Sequence, residues 1–130
     1  MILLDTHLVL WLAFEPARLS RAASARIKEA RRQSEVLAIS NITLLEIARA
    51  ASKGRLQITM SVESFLQSVE SRFAVLPITS QACAKTLELP ASYPKDPADR
   101  IIGATAIVEG IPLITADTNI RKAKGVRTIW

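Results

Sequence analysis

The sequence predicts an α/β fold in which a parallel sheet of four or five strands is covered by helices on both faces. Two observations carry this. Short strand-like segments alternate with helical ones from end to end, the pattern of a parallel sheet with helical crossovers. The strand-like segments, such as Met1 to Leu4, are apolar without alternation, as strands buried on both faces are. The 130 residues show no repeat and no linker composition, so one domain spanning 1–130 is expected, large enough to bury a real core.

The elements follow in order. Met1 to Leu4 reads as a strand, and Thr6 to Phe14 as a short helix that ends before Glu15-Pro16. Ser20 can cap a helix over Arg21 to Arg32, with Ala22, Ala23, Ile27 and Ala30 on one side. Val36 to Ile39 is a second strand. Ser40 caps a helix through Ser52, which Lys53-Gly54 closes with a basic last turn and a glycine. Ser61 caps the next helix, to Ser71, and Phe73 to Leu76 is a third strand stopped by Pro77. Ser80 to Leu87 is a helix, Pro90 to Lys95 a loop, and Asp96-Pro97 opens a helix that runs to Glu109-Gly110. Leu113 to Thr115 is a fourth strand, Asn119 to Ala123 a short helix, and Val126 to Ile129 the last strand.

Composition narrows the function classes. Seventeen Lys and Arg stand against twelve Asp and Glu. The basic residues cluster at Arg18, Arg21, Arg26, Lys28, Arg31 and Arg32, at Arg49, Lys53 and Arg55, and at Arg121, Lys122, Lys124 and Arg127. Such a field attracts polyanions, nucleic acid above all, although any one run alone reads rather as a solvated helix face. Aromatic residues are few and form no stacking pattern, which argues against base-by-base recognition on an aromatic platform. No apolar run reaches the roughly 20 residues that span a bilayer, and MILLD lacks the charged start of a signal peptide. Cys83 is the only cysteine, expected as a small core residue of a chain in a reducing cytosol. The single histidine, the lack of a G-x-S-x-G turn and the lack of a glycine-rich phosphate loop exclude triad hydrolases and common nucleotide-binding motifs.

Four carboxylates stand out. Asp5 directly follows the first strand, and Asp117 follows the fourth. In open parallel sheets, ligands bind beyond the carboxyl ends of the strands, where the strand order reverses. Asp99 lies in the first turn of the helix leading into the fourth strand. Glu46 sits inside the apolar run Ile42-Thr43-Leu44-Leu45-Glu46-Ile47-Ala48, where a carboxylate is costly to bury unless a cation meets it. Asp5, Asp99 and Asp117 each have an ordinary alternative as a helix cap, a dipole partner or a turn residue. Four converging carboxylates need compensating positive charge, and oxygen donors of this kind select Mg²⁺ or Mn²⁺.

LLDTH, SNITLLEIA followed by KGRL, DPADRIIGATA and LITAD together resemble the PIN-domain family, most nearly its VapC-type toxins of prokaryotic toxin–antitoxin pairs. The resemblance covers the whole chain in order and spacing. It implies a three-layer α/β/α fold and a Mg²⁺- or Mn²⁺-dependent endoribonuclease. It places the acidic quartet on Asp5, Glu46, Asp99 and Asp117, with Asp96 left as the cap. The implied partners are an RNA substrate, a cognate small antitoxin and a second copy of the chain, in the cytoplasm and away from membranes. The helices Leu8 to Phe14 and Val62 to Val69 are candidates for that dimer surface or for core. Thr6 and Thr115 are candidates to orient the neighbouring carboxylates. Arg100 is a candidate to pair with a carboxylate or the RNA backbone, and His7 is expected to be structural. Two other readings stand beside this one: a housekeeping PIN nuclease with no antitoxin, and a non-catalytic nucleic-acid-binding module, which would need the basic stretches but not four acids.

Overall fold

Strand β1 (Ile2–Leu4) is completely buried in the computed structural model, which describes residues 1–130. Its side chains divide between two cores. Ile2 and Leu4 face a layer built from α1 (Thr6–Phe14), α2 (Arg21–Arg32) and α4 (Val62–Glu70), with Ile47 of α3 (Asn41–Ser52). Leu3 faces the opposite layer, where Ile102 and Ala106 of α6 (Pro97–Glu109) pack with Tyr93 and with Ile120 of α7 (Thr118–Lys122). Successive strand side chains point to opposite faces, so a strand covered on both has no polar alternation to show.

The sheet is all parallel, in the order β3-β2-β1-β4-β5, with β2 at Leu37–Ser40, β3 at Ala74–Leu76, β4 at Leu113–Ile114 and β5 at Thr128–Ile129. Leu3 pairs with Ala38 on one side and with Leu113 on the other. The chain builds outward from β1 through β2 to β3, then returns through α5 (Ser80–Thr86) and α6 to lay β4 on the other flank of β1. The order therefore reverses between β1 and β4. This is the expected three-layer α/β/α fold with five strands.

Helix starts follow the hydroxyl and carboxyl caps. The side chains of Ser20, Ser40, Ser61 and Asp96 each accept a backbone N–H at the first turn. Helix α6 ends at Gly110, whose φ of 65° is the left-handed conformation that glycine takes freely.

The structure differs from the sequence reading in detail. Helix α5 starts at Ser80 as expected, capped by Thr79, and ends one residue early, at Thr86. Asp117 caps α7, so that helix starts one residue early, at Thr118. A single 3₁₀ turn at Pro16–Arg18 joins α1 to α2, and Ala22 is exposed. Cys83 is exposed rather than a core residue. Helix α5 buries only Ala82, and Cys83, the next residue round the helix, falls on the solvent side.

Of the two apolar helices, Leu8, Val9, Phe65 and Val69 are core, while Phe14 remains exposed. No helix is long and apolar enough to cross a membrane.

Candidate active site

Asp5 follows β1 at its carboxyl end and is only 2% exposed. Its two oxygens are separately held. The backbone N–H of Thr6 donates to Oδ1 at 2.8 Å, making Asp5 the cap of α1, and the Thr115 hydroxyl donates to Oδ2 at 2.7 Å. Thr115 also accepts the backbone N–H of Asp117 at 3.1 Å. One buried hydroxyl thus ties the end of β4 to the end of β1 and sets where Asp117 begins α7.

Glu46 approaches from α3. Its Oε1 accepts the Thr6 hydroxyl at 2.5 Å. The Thr6 oxygen lies 3.0 Å from that of Thr43, and since Thr6 has already given its one proton to Glu46, Thr43 is the donor. Thr115, Asp5, Thr6, Glu46 and Thr43 therefore form one connected polar thread through three distant segments. No buried side-chain nitrogen or oxygen lacks a partner. The expected orienting roles of Thr6 and Thr115 have this geometry.

Asp99 lies in the first turn of α6, behind the cap made by Asp96, whose Oδ1 accepts from Ala98 at 2.8 Å and from Asp99 at 3.3 Å. The Tyr93 hydroxyl donates to the Asp99 carbonyl at 3.0 Å, lying over a helix surface that only Gly103 leaves bare. A Cβ at Gly103 would sit 2.0 Å from that hydroxyl.

The electrostatics show that these groups share one region. Burial first, and then the charges of Asp5, Asp96, Glu46 and Asp117, push the Asp99 carboxyl up from 3.8 to about 7. Burial likewise raises Glu46, against the pull of the Thr6 hydrogen bond, with Asp5 and Asp96 adding to the rise. Burial raises the Tyr93 phenol, helped by Asp5, Asp99 and Asp117.

No lysine or arginine forms an ion pair with Asp5, Glu46, Asp99 or Asp117, although the chain carries a net charge of +5. Where an ordinary protein would supply a cationic side chain, this one leaves carboxylate oxygens. Hard donors with surplus negative charge fit Mg²⁺ or Mn²⁺. The side chains of no three Asp, Glu, His or Cys residues are drawn into a single coordination shell. Mg²⁺ usually keeps several of its own waters, so a loosely spaced set suits it.

His7 stands beside this group. Its Nε2 accepts the backbone N–H of Ala116 at 3.1 Å, and its Nδ1 lies 3.6 Å from Asp5 Oδ2. Accepting at Nε2 requires the neutral ring with its proton on Nδ1, and burial, the largest influence, lowers the His7 pKa in agreement. The histidine bridges the ends of β1 and β4, as a structural residue does.

Arg100 is placed differently from expectation. Its guanidinium donates to the carbonyl oxygens of Pro94 at 3.1 Å and Thr86 at 3.0 Å, so it fastens the loop between α5 and α6 instead of pairing with a carboxylate. The first basic cluster is also partly neutralised. Arg26 binds Glu35 at 2.8 and 3.0 Å, Glu35 also meets the Met1 amino group at 3.3 Å, and Arg32 pairs with Glu29. The Arg26 pair sits at the amino edge of the sheet, opposite the carboxylates. The sequence reading missed Thr43 and Tyr93; a hydroxyl residue one helical turn before Glu46 was the available signal for the first.

The model of the PIN domain family matches residues 2–126. Ribonuclease VapC22 of Mycobacterium tuberculosis is 40% identical over 131 residues, covering 99% of this chain and 98% of that protein. Among solved structures, FitAcB from Neisseria gonorrhoeae matches with a TM-score of 0.64 at 27% identity, covering 98% of this chain and 96% of that one. VapBC2 from Rickettsia felis, bound to a DNA fragment from its promoter, matches with a TM-score of 0.75. At 19% identity over 98% of this chain and 97% of that one, the latter speaks for the fold alone.

Proposed function

The chain belongs to the PIN-domain family, and from that membership we propose that it is a divalent-metal-dependent endoribonuclease, the toxin of a toxin–antitoxin pair. The carrying observation is the group of carboxylates at the carboxyl edge of the sheet, none of them in an ion pair with a lysine or arginine. The near-full-length likeness to a ribonuclease supports RNA as the substrate, and the likeness to a toxin–antitoxin complex from Klebsiella pneumoniae, 25% identical with a TM-score of 0.64, supports an antitoxin as the partner.

In this reading Asp5, Glu46, Asp99 and Asp117 hold Mg²⁺ or Mn²⁺. Bound there, the ion supplies positive charge to a scissile phosphodiester and acidifies an attacking water. The chain itself does the positioning. Thr115 fixes Asp5 Oδ2 and Thr6 fixes Glu46 Oε1, each hydroxyl donating to one carboxylate oxygen and so orienting the group for a cation. The exposed cations Arg121 and Lys122 on α7, close after Asp117, supply charge for the RNA backbone. A second copy of the chain remains part of the proposal, as does action in the cytoplasm.

The test is cleavage of single-stranded RNA by the purified chain with Mg²⁺ or Mn²⁺, its loss in EDTA, and its loss in Glu46→Gln. Cleavage that persists in EDTA, or in Glu46→Gln with metal present, would overturn the assignment. Purification from the native host is the second arm, where a stoichiometric small protein bound to the chain separates a toxin from a housekeeping nuclease.

A further inference from the structure

Trp11 and Trp130 are the only tryptophans, and the fold brings them together with ring centroids 5.8 Å apart. Trp11 is held from other sides as well. The His7 ring is 4.8 Å away and the Arg18 guanidinium lies over the Trp11 ring at 4.3 Å. The series Asp5, His7, Trp11, Trp130 therefore leads outward from the carboxylates to an open cleft of about 340 Å³, lined by Thr118, Arg121, Lys122, Thr128 and Trp130. The cleft starts one residue along the chain from Asp117 and ends at the residue after β5, on the same edge of the sheet. Arg121 and Lys122 are exposed and have no acidic partner.

We propose that this cleft is a nucleotide subsite: Trp130 stacks a base of single-stranded RNA, and Arg121 and Lys122 take the adjoining phosphates. The proposal rests on the ribonuclease reading. Its chemistry is specific to a nucleotide. A π-face, two unpaired cations and two hydroxyls fit a base joined to a phosphate, and stacking on an aromatic ring is tolerant of base identity. Trp11 braces Trp130 through a tilted aromatic contact, so the platform needs little ordering when the strand arrives. Position favours RNA over an acidic segment of a protein partner, because the cleft opens at Thr118, beside Asp117, within one nucleotide's reach of the carboxylates read as the cleavage site.

Both tryptophans lie in this cluster, so intrinsic fluorescence reports on it directly. The experiment titrates metal-free Asp99→Asn protein with a short single-stranded oligoribonucleotide, reading tryptophan quenching and the anisotropy of a labelled RNA in parallel. Quenching and anisotropy should saturate together. Trp130→Ala should weaken binding about 10-fold, within the range that base–aromatic stacking gives, and Trp130→Phe should restore most of it. Arg121→Ala with Lys122→Ala should lower the log–log salt slope by about 1.4, for two phosphates on a single strand.

An anisotropy change without quenching places the RNA elsewhere and overturns the subsite. So does full affinity in both the Trp130→Ala and the double cation variants, or quenching by a poly-glutamate peptide but not by RNA. Should RNA bind with quenching while the parent protein cuts none of it in Mg²⁺ or Mn²⁺, the subsite stands and the ribonuclease reading falls.

Discussion

Replacing Asp99 with Asn should make the metal-free protein more stable at high pH while abolishing its cleavage of RNA. Burial and four neighbouring acids hold the Asp99 carboxyl at about 7 against 3.8 in a free side chain. A rise of that size corresponds to a ceiling of about 4 kcal/mol between the two protonation states. The side chain is only half-buried, so solvent screening reduces this to about 1–2 kcal/mol. Against it stands the favourable placement of an acid in the first turn of α6, about 0.3–1 kcal/mol that Asn forgoes. The cost of burying a charge among other acids is the larger effect.

The sign follows from linkage. Below 3.8 the carboxyl is neutral in both folded and unfolded chains, and Asp resembles Asn. Between 3.8 and about 7 the folded chain keeps a proton that the unfolded chain releases, so the parent loses stability as pH rises. Urea denaturation in EDTA at pH 4 and pH 8.5 should show near-equal curves at the lower pH and a more stable variant at the higher. Thermal melts should agree, with about 4 °C per kcal/mol. Added Mn²⁺ should raise the melting temperature of the parent and much less that of the variant, since only the folded parent assembles the full set. Asp96→Asn is the matched control and should cut RNA nearly as the parent does, because Asn caps a helix about as well as Asp. A variant that melts lower at pH 8.5 and still cleaves RNA would make Asp99 a structural residue and refute the reasoning.

Other substitutions test the supports of the site. Thr115→Val removes the only side-chain donor to the buried Asp5 Oδ2 and should cost about 1.5–3 kcal/mol by urea denaturation, with at least a tenfold drop in cleavage rate, while Thr115→Ser retains most of both. Thr6→Val cuts the link to Glu46 and should lower kcat for RNA cleavage more than it changes KM, with Thr6→Ser as the conservative comparison. Gly103→Ala forces a methyl against the Tyr93 hydroxyl and should destabilise by about 1–3 kcal/mol in thermal melts, an effect that Tyr93→Phe in the same chain partly relieves.

Much of the layout was legible because the sheet obeys strong local rules. Buried strands read as short apolar runs, and Ser20, Ser40, Ser61 and Asp96 mark helix starts that the structure reproduces. Asp5 and Asp117 were legible as candidates because parallel topology sends strand ends to one edge. Glu46 was legible because a carboxylate inside an apolar helix has few ordinary explanations. What stayed hidden depends on which face of a short element meets a neighbour. Helix α5 is too short for a clear apolar stripe, so Cys83 reads as core yet lies in solvent. Arg100 follows a proposed ligand in sequence but turns to the carbonyls of Pro94 and Thr86, a destination set by the path of the preceding loop. Trp11 and Trp130 come from opposite ends of the chain, and no periodicity foretells their meeting.

The hydroxyl thread has a consequence for how such a chain is made. Thr115 and Asp5 are bonded across 110 positions, and Thr6 and Glu46 across 40. During synthesis the first strand emerges early, but its flanking partner β4 follows only after β2, β3 and the helices α1 to α6. Until then Asp5 lacks its Thr115 donor, and Asp99 and Asp117 have no sheet edge to share with it. Contacts of such long sequence separation form late, after the chain has closed its largest loops. A nascent chain therefore carries an unassembled centre, and the capacity to cut RNA is withheld until β4 and Asp117 have been made.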